Sequence, residues 1–171
     1  MPNWWPFRKE PKEDPETLYR QAAQALQEFY DDQTAAGLSR QAILQHIQMQ
    51  LALLEQQPPT PATKAQLRAY DGFHEQLRQS ILFNLSAGKQ HEVAGELEQA
   101  VAHYEMALQD QASTRFPYEH LRIIYRRNNY LEDALRICQT AVENPFLSEQ
   151  DRTHFQSWAE KLQTQIEEAT K

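Results

Sequence analysis

Six histidines, one cysteine and many carboxylates are the residues of this chain with the widest chemical range. Two histidines at positions i and i+4 of a helix can hold a metal ion together, but none of the six has a partner at that spacing. The sequence also lacks a nucleophile elbow, a glycine-rich phosphate loop and a dinucleotide-binding fingerprint. The carboxylates recur on predicted helices, where such residues usually form a solvated face. We therefore expect a protein that is not an enzyme and that carries no metal and no cofactor.

The single cysteine, Cys138, stands among the apolar residues Leu135, Ile137 and Val142. We expect it to be buried and unreactive, because burial keeps a thiol protonated. Redox sensing is the alternative use of this residue. One cysteine cannot form an internal disulfide, no apolar run approaches the length of a membrane span, and the first residues lack the apolar core of a signal peptide. These features favour the cytoplasm.

A group of arginines is the remaining candidate for a binding site. Arg122 and Arg126 are four residues apart and so share one face of a predicted helix, which gives a cationic strip to a chain of formal net charge -7. Guanidinium groups bind carboxylates in pairs, so this strip favours an acidic partner. In the alternative, Arg126 and Arg127 pair with neighbouring acidic residues such as Glu119 on the surface. The acidic balance, with a pI near 5.4, disfavours nucleic acid.

The elements that position these residues are predicted to be helices. At 171 residues the chain has the size of one domain, it contains only 4 glycines, and no run alternates apolar with polar residues as a strand would. The sequence also matches itself at an offset of 34 positions, with a turn residue and small residues at equal spacings. The matching positions are Gly95, Ala100, Tyr104 and Ala107 in the first copy and Asn129, Ala134, Cys138 and Ala141 in the second. Each copy predicts a helix, a turn and a second helix.

The second copy carries Tyr118, Leu121 and Tyr125 ahead of the turn. With this order and spacing, residues 81–148 resemble two copies of the tetratricopeptide repeat. The chain departs from the pattern at Asn84 and His91, where the family prefers aromatic residues. The resemblance implies an all-α, right-handed α-solenoid of antiparallel helix pairs, with an N-terminal helical pair packed on the repeats and a C-terminal capping helix.

The resemblance also implies a function. First helices of such repeats line a concave face that binds a protein or peptide partner, so we expect a non-catalytic scaffold. The residues that fall on this face are Leu82, Leu85, Lys89 and Glu92 in the first repeat and Glu119, Arg122, Ile123, Arg126 and Arg127 in the second. Six of them are predicted to bind the partner: Lys89, Glu119, Arg122, Ile123, Arg126 and Arg127. The lysine and asparagine pattern by which some members clamp a terminal carboxylate is not reproduced, so binding of chaperone tails is not carried over.

Four segments follow from this reading: an aromatic and basic stretch at 1–15, a helical hairpin at 16–60, the repeats at 61–148 and the capping helix at 149–171. In the hairpin we predict helices at 16–34 and 40–56, the second capped by Ser39. Thr60 and Pro61 begin the next helix, and Gly72 and Gly88 are the points at which it could break before residue 94. That question is left open.

The N-terminal stretch contains Trp4, Trp5 and Phe7 beside basic residues. These rings could pack on the helical body, contact a partner chain, or rest on a membrane surface, where a single short segment gives only minor affinity. Docking on a membrane or larger assembly through them is the alternative function to the scaffold. Two repeats are few for a solenoid, so self-association into a homodimer also stays open.

Overall fold

The structure, a computed structural model, describes residues 14–169, which form seven α-helices and no strand. The prediction of an all-α protein is therefore confirmed. The helices are α1 (Pro15–Ala35), α2 (Arg40–Leu54), α3 (Pro61–Ala94), α4 (Leu97–Gln109), α5 (Phe116–Arg127), α6 (Leu131–Glu143) and α7 (Glu149–Ala169). Within these residues, no helix is both long enough and apolar enough to cross a membrane.

Hydroxyl caps fix where three of the helices begin. Ser39, Thr60 and Ser148 precede α2, α3 and α7, and each hydroxyl oxygen accepts a hydrogen bond from the backbone N–H three residues later, at 3.1 to 3.2 Å. Each cap supplies an acceptor for a backbone donor that has no partner inside the helix. Pro15 and Pro61 stand at first helical positions, where a missing N–H costs nothing.

α3 settles the question left open by the sequence, because it is one continuous helix of 34 residues. Gly72 and Gly88 both lie inside it without breaking it. A Cβ built on Gly72 would meet no atom within 4 Å, whereas a Cβ on Gly88 would lie 2.5 Å from Cε1 of the Tyr104 ring. Gly88 therefore has a packing role, since α4 reaches α3 closely enough to place an aromatic ring on its backbone.

The helices bury two apolar clusters. The first joins α1 and α2 to α3 and contains Leu26, Ile43, Leu44, Ile47, Leu77 and Ile81. The second fills the space between α4, α5, α6 and α7. α1 and α2 touch each other little and pack mainly against α3, so the expected pairing of α1 with α2 is a minor contact. The predicted boundary between segments 16–60 and 61–148 consequently falls inside one shared core.

The two turns found by the internal offset have the same backbone conformation. Gly95 and Asn129 are left-handed, with φ of 78° and 62°, and the residues after them, Glu96 and Tyr130, have φ and ψ within 2° of each other. The turn N–H groups bond to carbonyls that are also 34 residues apart, at Glu92 and Arg126. The helices that follow, α4 and α6, are both 13 residues long.

Equivalent residues of α4 and α6 are also equally buried. Ala100, Ala107, Ala134 and Ala141 have no exposed surface, and neither have Tyr104 and Cys138. Small side chains at these positions let each helix approach its neighbour closely. The matched positions are therefore buried to the same extent.

The contact at Gly88 can be tested with an alanine substitution. In an open helical position, glycine to alanine stabilises by up to about 1 kcal/mol, so Gly72→Ala should raise the free energy of unfolding. Gly88→Ala should instead lower it by about 1 to 3 kcal/mol, because the buried Tyr104 ring has no room to move. Urea unfolding followed by circular dichroism measures both changes. Equal stabilisation by the two substitutions would show that α3 and α4 are not in close contact.

Candidate functional site

A groove of about 500 Å³ lies along α5 and is lined by Arg122, Ile123, Arg126 and Arg127. α5 is amphipathic, and these residues come together because positions four apart lie on one side of a helix. They are four of the six residues that the sequence predicted to bind a partner. Of the other two, Glu119 lies one turn earlier on the same helix, and Lys89 is exposed on α3 and is not among the lining residues.

Arg122 does not belong to an exposed strip, and that part of the prediction is wrong. The residue is only 3% exposed. Its Nε donates to Glu119 Oε2 at 3.3 Å, its Nη2 donates to Glu119 Oε1, and its guanidinium carbon lies 3.8 Å from the centre of the Trp158 ring. The physical reason is Trp158: this ring from α7 covers the guanidinium face and removes it from solvent.

Two further cations lie near Trp158, and one of them, Arg126, also lines the groove. Arg126 lies 5.3 Å and Lys161 4.9 Å from the centre of its ring. An aromatic face attracts cations, so the ring holds these side chains near one another despite their equal charge. Trp158 is half-buried and also packs against the second apolar cluster; its contact with the arginines of α5 is not predicted from the sequence. The spacing of His154, Trp158 and Lys161, which puts all three on one side of α7, is the signal that could have suggested it.

Glu119 of α5 also contacts α7. Besides its bonds with Arg122, its Oε2 atom lies 3.1 Å from Nε2 of His154. Burial alone would raise the pKa of this carboxyl, but the hydrogen bonds and charges of Arg122 and His154 outweigh burial and lower the pKa below its ordinary value. Glu119 is thus ionised, and it links Arg122 of α5 to His154 of α7.

The side chains of Arg126 and Arg127 are exposed, in contrast with Arg122. Neither forms an ion pair with a carboxylate in the part of the chain that the structure describes. Two acidic residues close to them in the sequence have other partners, since Glu119 binds Arg122 and Asp133 lies 3.6 Å from Arg136. The alternative in which Arg126 and Arg127 are neutralised on the surface is therefore not the arrangement found in residues 14–169.

Glu92, which the sequence assigned to the same face, has a structural contact instead. Its Oε2 atom accepts a hydrogen bond from the Tyr104 hydroxyl at 2.8 Å and lies 2.6 Å from Nδ1 of His120. These bonds connect α3, α4 and α5. Of the repeat-packing residues, Tyr118 and Leu121 are fully buried, and the half-buried Tyr125 donates its hydroxyl to Glu105 at 2.8 Å.

Other predicted features can be placed only in part. Trp4, Trp5 and Phe7 lie outside the described residues. Among the residues that are described, no three histidine, cysteine or acidic side chains are grouped so as to hold a metal ion.

Comparisons with protein-family models, with curated proteins and with solved structures find no match to this chain.

The lowered pKa of Glu119 predicts how the free energy of unfolding depends on pH. A carboxylate whose pKa is lower in the folded state stabilises the fold above its ordinary value of 4.5, and this contribution is lost as the pH falls through the folded-state pKa. Glu119→Gln should therefore lower the free energy of unfolding by about 2 kcal/mol at neutral pH, because a charged hydrogen-bonded pair is broken. The loss relative to wild type should shrink as the pH is lowered into the acid range.

Urea unfolding at a series of pH values measures this effect. Glu75→Gln is the matched control, since Glu75 pairs with Arg78 on the solvent-exposed surface, where such pairs contribute little. A penalty for Glu119→Gln that stays constant down to acid pH would contradict the assigned role of the carboxylate.

The reactivity of Cys138 tests whether the core around it is accessible to solvent. The residue is fully buried, and burial raises the pKa of its thiol to about 12. Reaction with a thiol reagent such as DTNB at neutral pH should accordingly be negligible in the native protein and complete after unfolding in guanidinium chloride. Rapid native labelling would show that the space between α5 and α6 opens readily.

Proposed function

We propose that this protein is a non-catalytic scaffold of tetratricopeptide type that binds an acidic segment of a protein partner in the groove along α5. The observation that carries the proposal is a pair of exposed arginines, Arg126 and Arg127, which have no acidic partner within residues 14–169 and which border a groove of about 500 Å³. Positive charge left uncompensated beside a concave surface is an arrangement suited to recognising carboxylates.

The charge of the rest of the chain supports this choice of partner. With a formal net charge of -7, most of the surface repels an acidic segment, so the groove is a local exception. Such a contrast orients an incoming acidic partner and raises its rate of association. Ile123, half-buried between the arginines, offers an apolar contact that charge alone would not give.

The helical arrangement supports the family assignment within the proposal. Two turns with the same backbone conformation stand 34 residues apart, and the alanines that follow them are buried alike. Helices α3 to α7 each pack on the next in chain order, as stacked repeats do. In this proposal α1 and α2 cover the first repeat, α7 covers the last, and the protein acts in the cytoplasm.

Charge reversal in the groove tests the function. The double substitution Arg126→Glu with Arg127→Glu should reduce recovery of the specific partner at least tenfold, since losing two attractive charges and gaining two repulsive ones exceeds about 1.4 kcal/mol. Quantitative affinity capture from a native cell extract, with mass spectrometry of the bound chains, measures the recovery at physiological salt.

The control is Arg20→Glu with Lys64→Glu, which makes the same change in net charge at exposed residues of α1 and α3. Partners captured equally by wild type and by this control, but lost from the groove variant, support the proposal. Partners that survive the reversal of Arg126 and Arg127 would place the binding surface elsewhere.

A further inference from the structure

One nitrogen of Arg122 has no hydrogen-bond partner within the described residues. Its Nη1 atom is buried, while Nε and Nη2 are used by Glu119. A buried donor left unpaired is destabilising, and more so when it belongs to a charged group. The residue that carries this atom also lines the groove on α5.

From this arrangement we propose that Arg122 and Arg126, which line the groove and lie near the Trp158 ring, form a binding site for a single carboxylate group. The inference rests on the proposed function and makes it more specific, because it identifies the group of the partner that is recognised. One oxygen of the carboxylate accepts from Nη1 of Arg122, and the group lies within reach of the Arg126 guanidinium.

The guanidinium of Arg122 is held in a fixed orientation. Glu119 binds one edge of its plane, and the Trp158 ring lies 3.8 Å away across its face. The remaining edge, formed by Nη1 and Nη2, presents parallel N–H groups that match the two oxygens of a carboxylate. Binding at a preoriented edge loses little side-chain entropy, which favours recognition of one group over diffuse attraction.

The local charge balance also favours an anion. Arg122, Arg126 and Lys161 all lie within 5.3 Å of the Trp158 ring centre, whereas Glu119 is the carboxylate that binds Arg122. Cations gathered in a partly desolvated site repel one another more strongly than in water, so an added negative charge is stabilised there.

In this proposal the ligand reaches Nη1 from the groove that Arg122 lines. The atom has almost no exposed surface, so a ligand oxygen reaches it only when a neighbouring side chain moves. Arg126 is exposed and carries the rotational freedom to do so. Its guanidinium then closes over the bound carboxylate, which is why both arginines belong to the site.

The test uses the full-length protein and sodium acetate as the probe. Acetate replaces chloride at constant ionic strength, and two-dimensional NMR follows the Trp158 indole N–H and the Arg122 Nε–H, assigned with Trp158→Phe and Arg122→Lys. Wild type should show saturable shifts of the indole signal. Arg122→Lys, which keeps the charge but loses the planar edge, should bind acetate at least tenfold more weakly, and Arg20→Gln should bind it as wild type does.

Circular dichroism establishes that Arg122→Lys is folded. Should that variant unfold, Arg126→Gln replaces it, because this exposed residue can be changed without disturbing the core; it should weaken acetate binding at least threefold. The proposal would be overturned by shifts that grow linearly with acetate concentration without saturating, or by shifts of equal size in all variants. Either result would mean that acetate does not bind at Nη1 of Arg122. Saturation by inorganic phosphate with no response to acetate would overturn the assignment of a carboxylate.

Failure of this site and failure of the proposed function give different results. If reversal of Arg126 and Arg127 abolishes partner capture while acetate does not saturate, the groove binds its partner without a carboxylate site. If acetate saturates and the same reversal leaves capture unchanged, the anion site exists but the partner binds another surface, and the carboxylate is then not the partner's.

Discussion

The burial of the Arg122 guanidinium between Glu119 and Trp158 is the interaction on which the α5 and α7 arrangement depends. An unpaired charge inside a protein is strongly destabilising, so this residue is tolerated only because a carboxylate and an aromatic face enclose it together. His154 holds the same carboxylate from α7. The helix that covers the end of the core thereby also fixes the position of Arg122, one of the residues that line the groove.

A comparable polar contact joins α2, α3 and the end of α4. Asn84 of α3 is buried and donates to Asp110 at 3.3 Å, and Asp110 in turn lies 3.5 Å from Arg40 of α2. Burial raises the pKa of the Asp110 carboxyl, and the bonds from Arg40 and Asn84 oppose that rise. This network attaches α2 to the α3 and α4 pair. Asn84, which departs from the predicted repeat pattern, therefore binds the same aspartate that pairs with Arg40 of α2.

How far the sequence predicted the fold depends on the range of the interactions involved. Ser39, Thr60 and the turn at Gly95 were predictable because caps and left-handed turns are set by neighbours a few residues away. The buried alanines followed from the internal offset. The depth of Arg122 was not predictable, because it is decided by Trp158 on another helix. The partners of α1 were missed for the same reason: an apolar stripe shows that a face is buried but not which helix covers it.

The different exposure of the three arginines gives them different physical roles in the proposed function. Arg126 and Arg127 are exposed, so their attraction acts at a distance and is weakened by salt, which suits the capture of a partner more than its orientation. Arg122 is shielded from solvent, so any bond it makes is short in range and strict in geometry. A surface built only from exposed arginines would bind many acidic chains alike. Placing one guanidinium under a tryptophan adds a position at which only a correctly aligned carboxylate gains a hydrogen bond, and specificity follows from that alignment.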